Sequence, residues 1–210
     1  MKYSEYADNY YEKPKHLPFT KKKRSMLRVV SATPVISSYY YHLVNIIESL
    51  PKKAKVLDIG CSHGGFLNFI HNIRPDLQLY GCDLSDVSKL LPKFVKFIQK
   101  DVINEDIKQK DFNLVISRHL IEHLQVQDVP KYFDRCYKLL KKGGIFFNLT
   151  PRWHKGFYSD PTHIRPYNKN SLRRLYEMSG FKDIKTYNKD DFNFPFNIKS
   201  MRLTWGFARK

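Results

Sequence analysis

The segment Lys55-Val56-Leu57-Asp58-Ile59-Gly60-Cys61-Ser62-His63-Gly64-Gly65-Phe66 runs an apolar strand into a glycine-bearing turn and then into a helix. That order narrows the fold more than any other feature of the chain. Gly60, Gly64 and Gly65 lack a Cβ, so they admit positive φ and let backbone N–H groups approach a ligand closely. In a parallel-sheet protein such a turn is where a nucleotide-like ligand sits. Asp58, two residues before the first glycine, selects among such ligands. A phosphate gains nothing from its negative charge, whereas an ammonium or a sulfonium does. The dinucleotide fingerprint does not fit, because Ser62 stands where its second glycine belongs, and no Gly-Lys-Ser/Thr follows to make a Walker phosphate loop. A turn that only packs a strand on a helix shares the local pattern, so other signals must decide.

Periodicity extends the strand and helix alternation along the chain. Helical spacing of Tyr40, Leu43, Val44, Ile47 and Leu50 predicts a helix from Ser37 or Ser38, ended by Pro51. Strands are expected at 55–59, 77–82, 95–99, 112–117 and 145–149, with a short helical segment near 85–91 and helices at 65–72 and 129–140, the last stopped by Gly143-Gly144. Asn170 is expected to cap a helix over 171–179 with Gly180 as its stop. Strands near 181–187 and 201–208 follow with no helix between them. The expectation is an α/β fold with a mostly parallel seven-stranded sheet, helices on both faces and a terminal antiparallel hairpin. Residues 1–36 are rich in Tyr, Lys and Pro, with Pro14, Pro18 and Pro34 breaking any long helix. They are expected to form an arm over the ligand pocket, with residues 37–210 as one domain.

The 210 residues carry a formal charge of +17, which favours nucleic acid, an anionic membrane surface or an acidic small substrate. The lysines are scattered, and only Lys21-Lys22-Lys23-Arg24 is a dense run, of the kind that more often forms a solvated face than a binding site. No apolar stretch reaches the ~18 residues of a membrane span, and the N-terminal residues do not read as a secretion signal. Cys61, Cys82 and Cys136 are odd in number and widely spaced, which fits free thiols in a reducing cytoplasm and no cysteine zinc site.

In an open α/β sheet the ligand sits at the carboxyl ends of the strands. Those ends carry Asp58 and Gly60, then Asp83 in Tyr80-Gly81-Cys82-Asp83-Leu84-Ser85, then Asp101 in Gln99-Lys100-Asp101-Val102, then Ser117-Arg118-His119-Leu120-Ile121-Glu122-His123-Leu124. Asp83 stands about 20 residues past the glycine turn, where an acid accepts ribose hydroxyls. Taken together, these segments resemble the class I S-adenosylmethionine-dependent methyltransferases, of the small-molecule type 11 and type 12 kind. Asp58 to Gly64 corresponds to their motif I, with Ser62 in place of the middle glycine, and His119 to Leu124 to their His-x-x-Glu-His-Leu element. The resemblance covers roughly 37 to 190 and implies a Rossmann-like methyltransferase fold binding S-adenosylmethionine. It places Asp58, Gly60, Cys61, Ser62, Gly64, Asp83, Leu84, Asp101, Val102, Ser117 and His119 around that cofactor, with Asp101 on the adenine amino group.

His119 and His123 also share the i, i+4 spacing of a helical zinc site, but Glu122 precedes the second histidine and the sequence offers no clear third ligand, so no metal is expected. The long loop from Pro151 to Tyr167 is too rich in reactive side chains for a connector. Its Asp160-Pro161-Thr162-His163-Ile164-Arg165-Pro166-Tyr167 resembles an element of small-molecule methyltransferases linked to sugar and cell-envelope polysaccharide pathways. The resemblance implies O-methylation of a small acceptor, with Arg152, Asp160, Arg165 and Tyr167 at the acceptor and the arginines on an anionic group. Deprotonating a hydroxyl needs a base, and His163 or His119 is the candidate. An RNA methyltransferase and a non-catalytic cofactor-binding module are the competing readings.

Overall fold

A computed structural model of the chain describes residues 38–188 and 202–210. The expected arm over 1–36 and Met201, the start of the last expected strand, lie outside those residues. Helix α1 (Ser38–Ser49) leads into β1 (Lys55–Ile59), α2 (Gly65–Ile73), β2 (Gln78–Asp83), β3 (Val95–Gln99) and β4 (Phe112–Arg118). Helix α3 (Asp128–Leu139), β5 (Leu140–Pro151), α4 (Lys169–Met178), β6 (Lys182–Asn188) and β7 (Leu203–Arg209) complete it. The strands form one seven-stranded sheet in the order β3-β2-β1-β4-β5-β7-β6. The first five pair in parallel, and β7 runs antiparallel between β5 and β6.

Strand periodicity divides the core into two layers. Val56, Leu114, Ile116 and Phe147 point to the face covered by Leu43 and Ile47 of α1 and Leu67 and Ile70 of α2. Their alternating neighbours Leu57, Val115 and Phe146 point to the other face, where α3 and α4 bring Tyr132, Phe133, Leu172 and Tyr176. Both faces are buried, which is why the inner strands read as continuous apolar runs. The helices thus cover both sides of the sheet, as expected.

Three local expectations need correcting. Gly143-Gly144 does not cap the third helix, which ends at Leu139; the glycines belong to β5, with the Gly143 N–H donating to the Lys210 carbonyl and the Lys210 N–H donating to the Gly144 carbonyl. Tertiary pairing with the chain's last residue overrides the local stop signal. The cap of α4 is Asn168, whose side chain accepts the N–H groups of Asn170 and Ser171 at 3.0 Å each, while Ser171 Oγ accepts the Asn168 N–H. The short helical segment expected near 85–91 narrows to a 3₁₀ turn at Ser88–Leu90.

The insertion of β7 depends on Gly206. A Cβ there would lie 2.9 Å from Thr186 Cγ2, 3.0 Å from the Lys185 carbonyl oxygen and 3.1 Å from the Tyr176 ring, whose hydroxyl donates to the Gly206 carbonyl at 2.8 Å. Gly206→Ala is therefore expected to cost ~1–3 kcal/mol by overpacking. The check is thermal denaturation, where each kcal/mol lowers Tm by roughly 2–4 °C in a domain of this size; an unchanged Tm contradicts the account.

Candidate active site

The turn after β1 is built by backbone hydrogen bonds. Gly60 (φ 74°) and Cys61 both donate their N–H to the Cys82 carbonyl, at 2.8 and 3.1 Å, pinning the turn to the end of β2. Ser62 takes φ 49°, a left-handed conformation costing an L-residue roughly 1–2 kcal/mol. Its N–H donates to Asp83 Oδ2 at 2.9 Å, which offsets that strain and explains how serine serves where motif I has glycine. Asp83 Oδ1 accepts the Ser85 N–H at 3.2 Å, so the buried carboxylate is held at both oxygens. Burial pushes the Cys61 thiol well above the ordinary range, leaving the backbone as what this position presents. Gly64 (φ 72°) starts α2, where a Cβ would lie 2.7 Å from Leu91 Cδ2.

Asp58 is the charged centre of the site. It is 1% exposed, and neither carboxylate oxygen has a hydrogen-bond partner among the described residues. Arg118 at the end of β4 stacks its guanidinium 3.7 Å from the Phe66 ring centre and comes only to 3.8 Å from Asp58 Oδ2. Burial pushes the Asp58 carboxyl up to about 6, Arg118 opposes that shift and Asp83 adds to it. A buried carboxylate this poorly satisfied fits a cationic ligand group. The amino group of S-adenosylmethionine is such a group, and the turn and Asp83 complete a cradle suited to the rest of it.

At the sheet edge, Asp101 accepts the Ile103 N–H at 2.8 Å and the Asn104 side-chain N–H at 2.8 Å, bracing its own turn. Val102 is buried, whereas Leu84 is 45% exposed and leaves an apolar surface beside Asp83. Ser117 is fully buried in β4, paired in register with Ile59 of β1.

His119 follows β4 with φ 53°, a strained conformation for a residue other than glycine. Its N–H donates to the Leu149 carbonyl at 2.9 Å, and Nδ1 lies 3.4 Å from Oε1 of the fully buried Glu122. Thr150 Oγ1 donates to the other oxygen, Oε2, at 3.0 Å. The Glu122 carbonyl accepts the Ile164 N–H at 2.7 Å, tying the 151–167 loop to this point. Within the loop, His163 Nδ1 donates to the Phe157 carbonyl at 2.7 Å, and its ring lies 4.8 Å from that of His123. Asp160 Oδ1 accepts the Thr162 N–H and hydroxyl at 2.9 and 2.6 Å.

Of the four predicted acceptor residues, two share one depression, and Arg152 and Asp160 do not line it. Arg165 and Tyr167 line an open depression of about 230 Å³ between α3 and α4, together with Arg174, Val129 and Leu175. The Tyr167 ring lies under the Arg165 guanidinium, with its hydroxyl buried and without a partner among the described residues. Asp160 instead organises the loop, and Arg152 stands at the end of β5 with its N–H on the Arg202 carbonyl. Sequence reasoning missed Arg118 as the partner of Asp58 and Thr150 as the partner of Glu122. A cation closing an otherwise apolar strand was the available signal for the first; nothing local marked the second.

Residues 37–186 match a protein-family model described as a methyltransferase domain. The chain therefore belongs to the class I S-adenosylmethionine-dependent methyltransferases, and its cofactor is S-adenosylmethionine. Among curated relatives it is 29% identical over 125 residues to a carboxy-S-adenosyl-L-methionine synthase of Campylobacter hominis, covering 56% of this chain and 51% of that protein. It is 31% identical over 102 residues to a phosphoethanolamine N-methyltransferase of Plasmodium falciparum, covering 45% and 38%. The chain thus spans about half or less of the curated relatives it matches. The fold is similar to that of a S-adenosylmethionine-dependent methyltransferase from Archaeoglobus fulgidus, with a TM-score of 0.65, 19% identity, and coverage of 82% of this chain and 92% of that one. No helix among the described residues is long and apolar enough to cross a membrane.

Proposed function

We propose that this chain methylates a hydroxyl oxygen of a small anionic acceptor, with a sugar of a polysaccharide precursor as the acceptor class. The observation that carries the reading is the His119–Glu122 pair at the end of β4, beside the site built on Asp58 and Asp83. A buried carboxylate facing Nδ1 orients the ring and leaves Nε2 to take the acceptor proton. The bound cofactor supplies a methyl group already activated by positive sulfur, so the residues chiefly align, desolvate and deprotonate. Asp58 holds the amino group, Asp83 the ribose, and Leu84, Asp101 and Val102 flank the adenine. The backbone of Gly60, Cys61, Ser62 and Gly64 shapes the methionine side, with Ser117 beneath. His163 is the weaker candidate for the base, since its ring is braced inside the loop.

Arg165 and Arg174 beside the depression suit an acceptor carrying phosphate or carboxylate. A relative named for phosphoethanolamine, a small phosphate-bearing acceptor, is consistent with that. The test is methyl transfer from labelled cofactor to sugars, sugar phosphates, nucleotide sugars, phosphoethanolamine and RNA at low salt. A methyl ether on a sugar is the expected product. Methylated phosphoethanolamine would move the chemistry to nitrogen, and RNA methylation with steep salt dependence would give the charge of +17 the leading role.

A further inference from the structure

Folding supplies the third ligand that the sequence did not reveal beside His123. One ligand atom from each of Glu122, His123 and His163 lies within 4.8 Å of the others. The hydrogen bonds around them define which nitrogens are available. Thr162 Oγ1 gives its single proton to Asp160 Oδ1 at 2.6 Å, so at 2.9 Å from His123 Nδ1 it can only accept. His123 is therefore protonated on Nδ1 and carries its lone pair on Nε2. His163 donates Nδ1–H to the Phe157 carbonyl at 2.7 Å, which leaves its lone pair on Nε2 as well. Each ring is thus held at Nδ1 by an oxygen, the usual outer support of metal-binding histidines, with Nε2 left to coordinate. Glu122 Oε1 is buried without a hydrogen-bond partner among the described residues, with His119 Nδ1 3.4 Å away.

We infer that Glu122, His123 and His163 form a binding site for a divalent transition-metal ion. Two neutral imidazoles and one carboxylate are a donor set for zinc, cobalt or manganese and a poor one for magnesium or calcium, which prefer all-oxygen shells. Bonds of ~2.0–2.2 Å place ligand atoms about 3.3 Å apart, so side-chain shifts of about 1 Å close the site. Three protein ligands leave at least one position open to water or to an acceptor oxygen, as in catalytic rather than structural sites. His119 and Asp160, whose Oδ2 lies 4.0 Å from His163 Nε2, flank the ion.

The experiment needs neither cofactor nor acceptor, so its failure is separate from failure of the proposed transfer reaction. Chelator-stripped full-length chain is titrated calorimetrically with Zn²⁺, and Co²⁺ binding is followed by visible absorption. One ion per chain with micromolar or tighter affinity is expected, with Co²⁺ bands of a four- or five-coordinate nitrogen and oxygen shell. His163→Ala should weaken binding at least 100-fold, and Thr162→Val, which removes the hydroxyl shared between His123 and Asp160, about 10-fold. His71→Ala, outside the cluster, should bind as the parent does. Circular dichroism confirms that each variant folds, and the milder Thr162→Val carries the test if His163→Ala does not. Absence of saturable binding, or affinity unchanged by both variants, overturns the site.

Discussion

His119→Asn should lower methyl-transfer turnover by ~10²–10⁴-fold, the range for loss of a positioned general base. Asparagine is the informative replacement because position 119 has φ 53°, and Asn tolerates left-handed backbone far better than most residues. The variant should therefore keep the His119 N–H bond to the Leu149 carbonyl and the end of β4 intact. Calorimetric affinity for S-adenosylhomocysteine should change by less than about threefold, since the lost group faces the acceptor. Turnover within threefold of the parent, measured with the acceptor found in the screen at saturating cofactor, removes His119 from the base role. Loss of cofactor affinity together with turnover would instead make it a binding residue.

Asp58→Asn should have opposite effects on stability and on ligand binding. The folded carboxyl is pushed from an ordinary 3.8 to about 6, so the native state holds this proton more tightly than the unfolded chain. The ligand-free fold is then most favoured, as far as this group is concerned, below pH 4. It loses that contribution as pH rises to 6, by about 3 kcal/mol at most, since each pKa unit is worth 1.36 kcal/mol. Asparagine keeps the shape and removes the buried charge, so the ligand-free variant should melt higher at pH 7.5. Binding runs the other way, because the cofactor's ammonium needs the ionised form. S-adenosylhomocysteine affinity should fall about tenfold or more in the variant, and in the parent should weaken as pH drops below about 6. A variant melting lower than the parent at pH 7.5, or binding equally well, contradicts the assignment of Asp58 as the ammonium partner.

Motif spacing suffices to propose the cofactor side because each candidate belongs to one strand end and its following turn. Asp58 with Gly60, Asp83 and Asp101 with Val102 are local pairs whose place at the carboxyl edge follows from strand alternation alone. Ser62 shows where that reading stops. Its replacement of a glycine looks like a defect in one dimension, and only the 2.9 Å bond to Asp83, 21 residues away, explains it. The acceptor side was less legible because its residues act through one another. Arg165 and Tyr167 share a depression, while Asp160 and Thr162 support His123 across 39 residues of chain. The two histidines share the spacing of a helical metal site, yet the structure puts only a 3₁₀ turn at Ile121–His123 and brings the third ligand candidate from a loop.

By itself the sequence determined the α/β class, the mostly parallel sheet with its terminal hairpin, the family, and the acids that stand at the strand ends. Apolar periodicity and strand-end chemistry are local properties, and local properties survive in one dimension. Tertiary structure decided the insertion of β7 between β5 and β6, the contact of Arg118 with Asp58, the tautomers of His123 and His163, and the closeness of both to Glu122. Those depend on which distant surfaces bury each other. Burial then raises the Asp58 carboxyl, hydrogen bonds to loop oxygens set the lone pairs of the histidines, and no spacing rule carries that information.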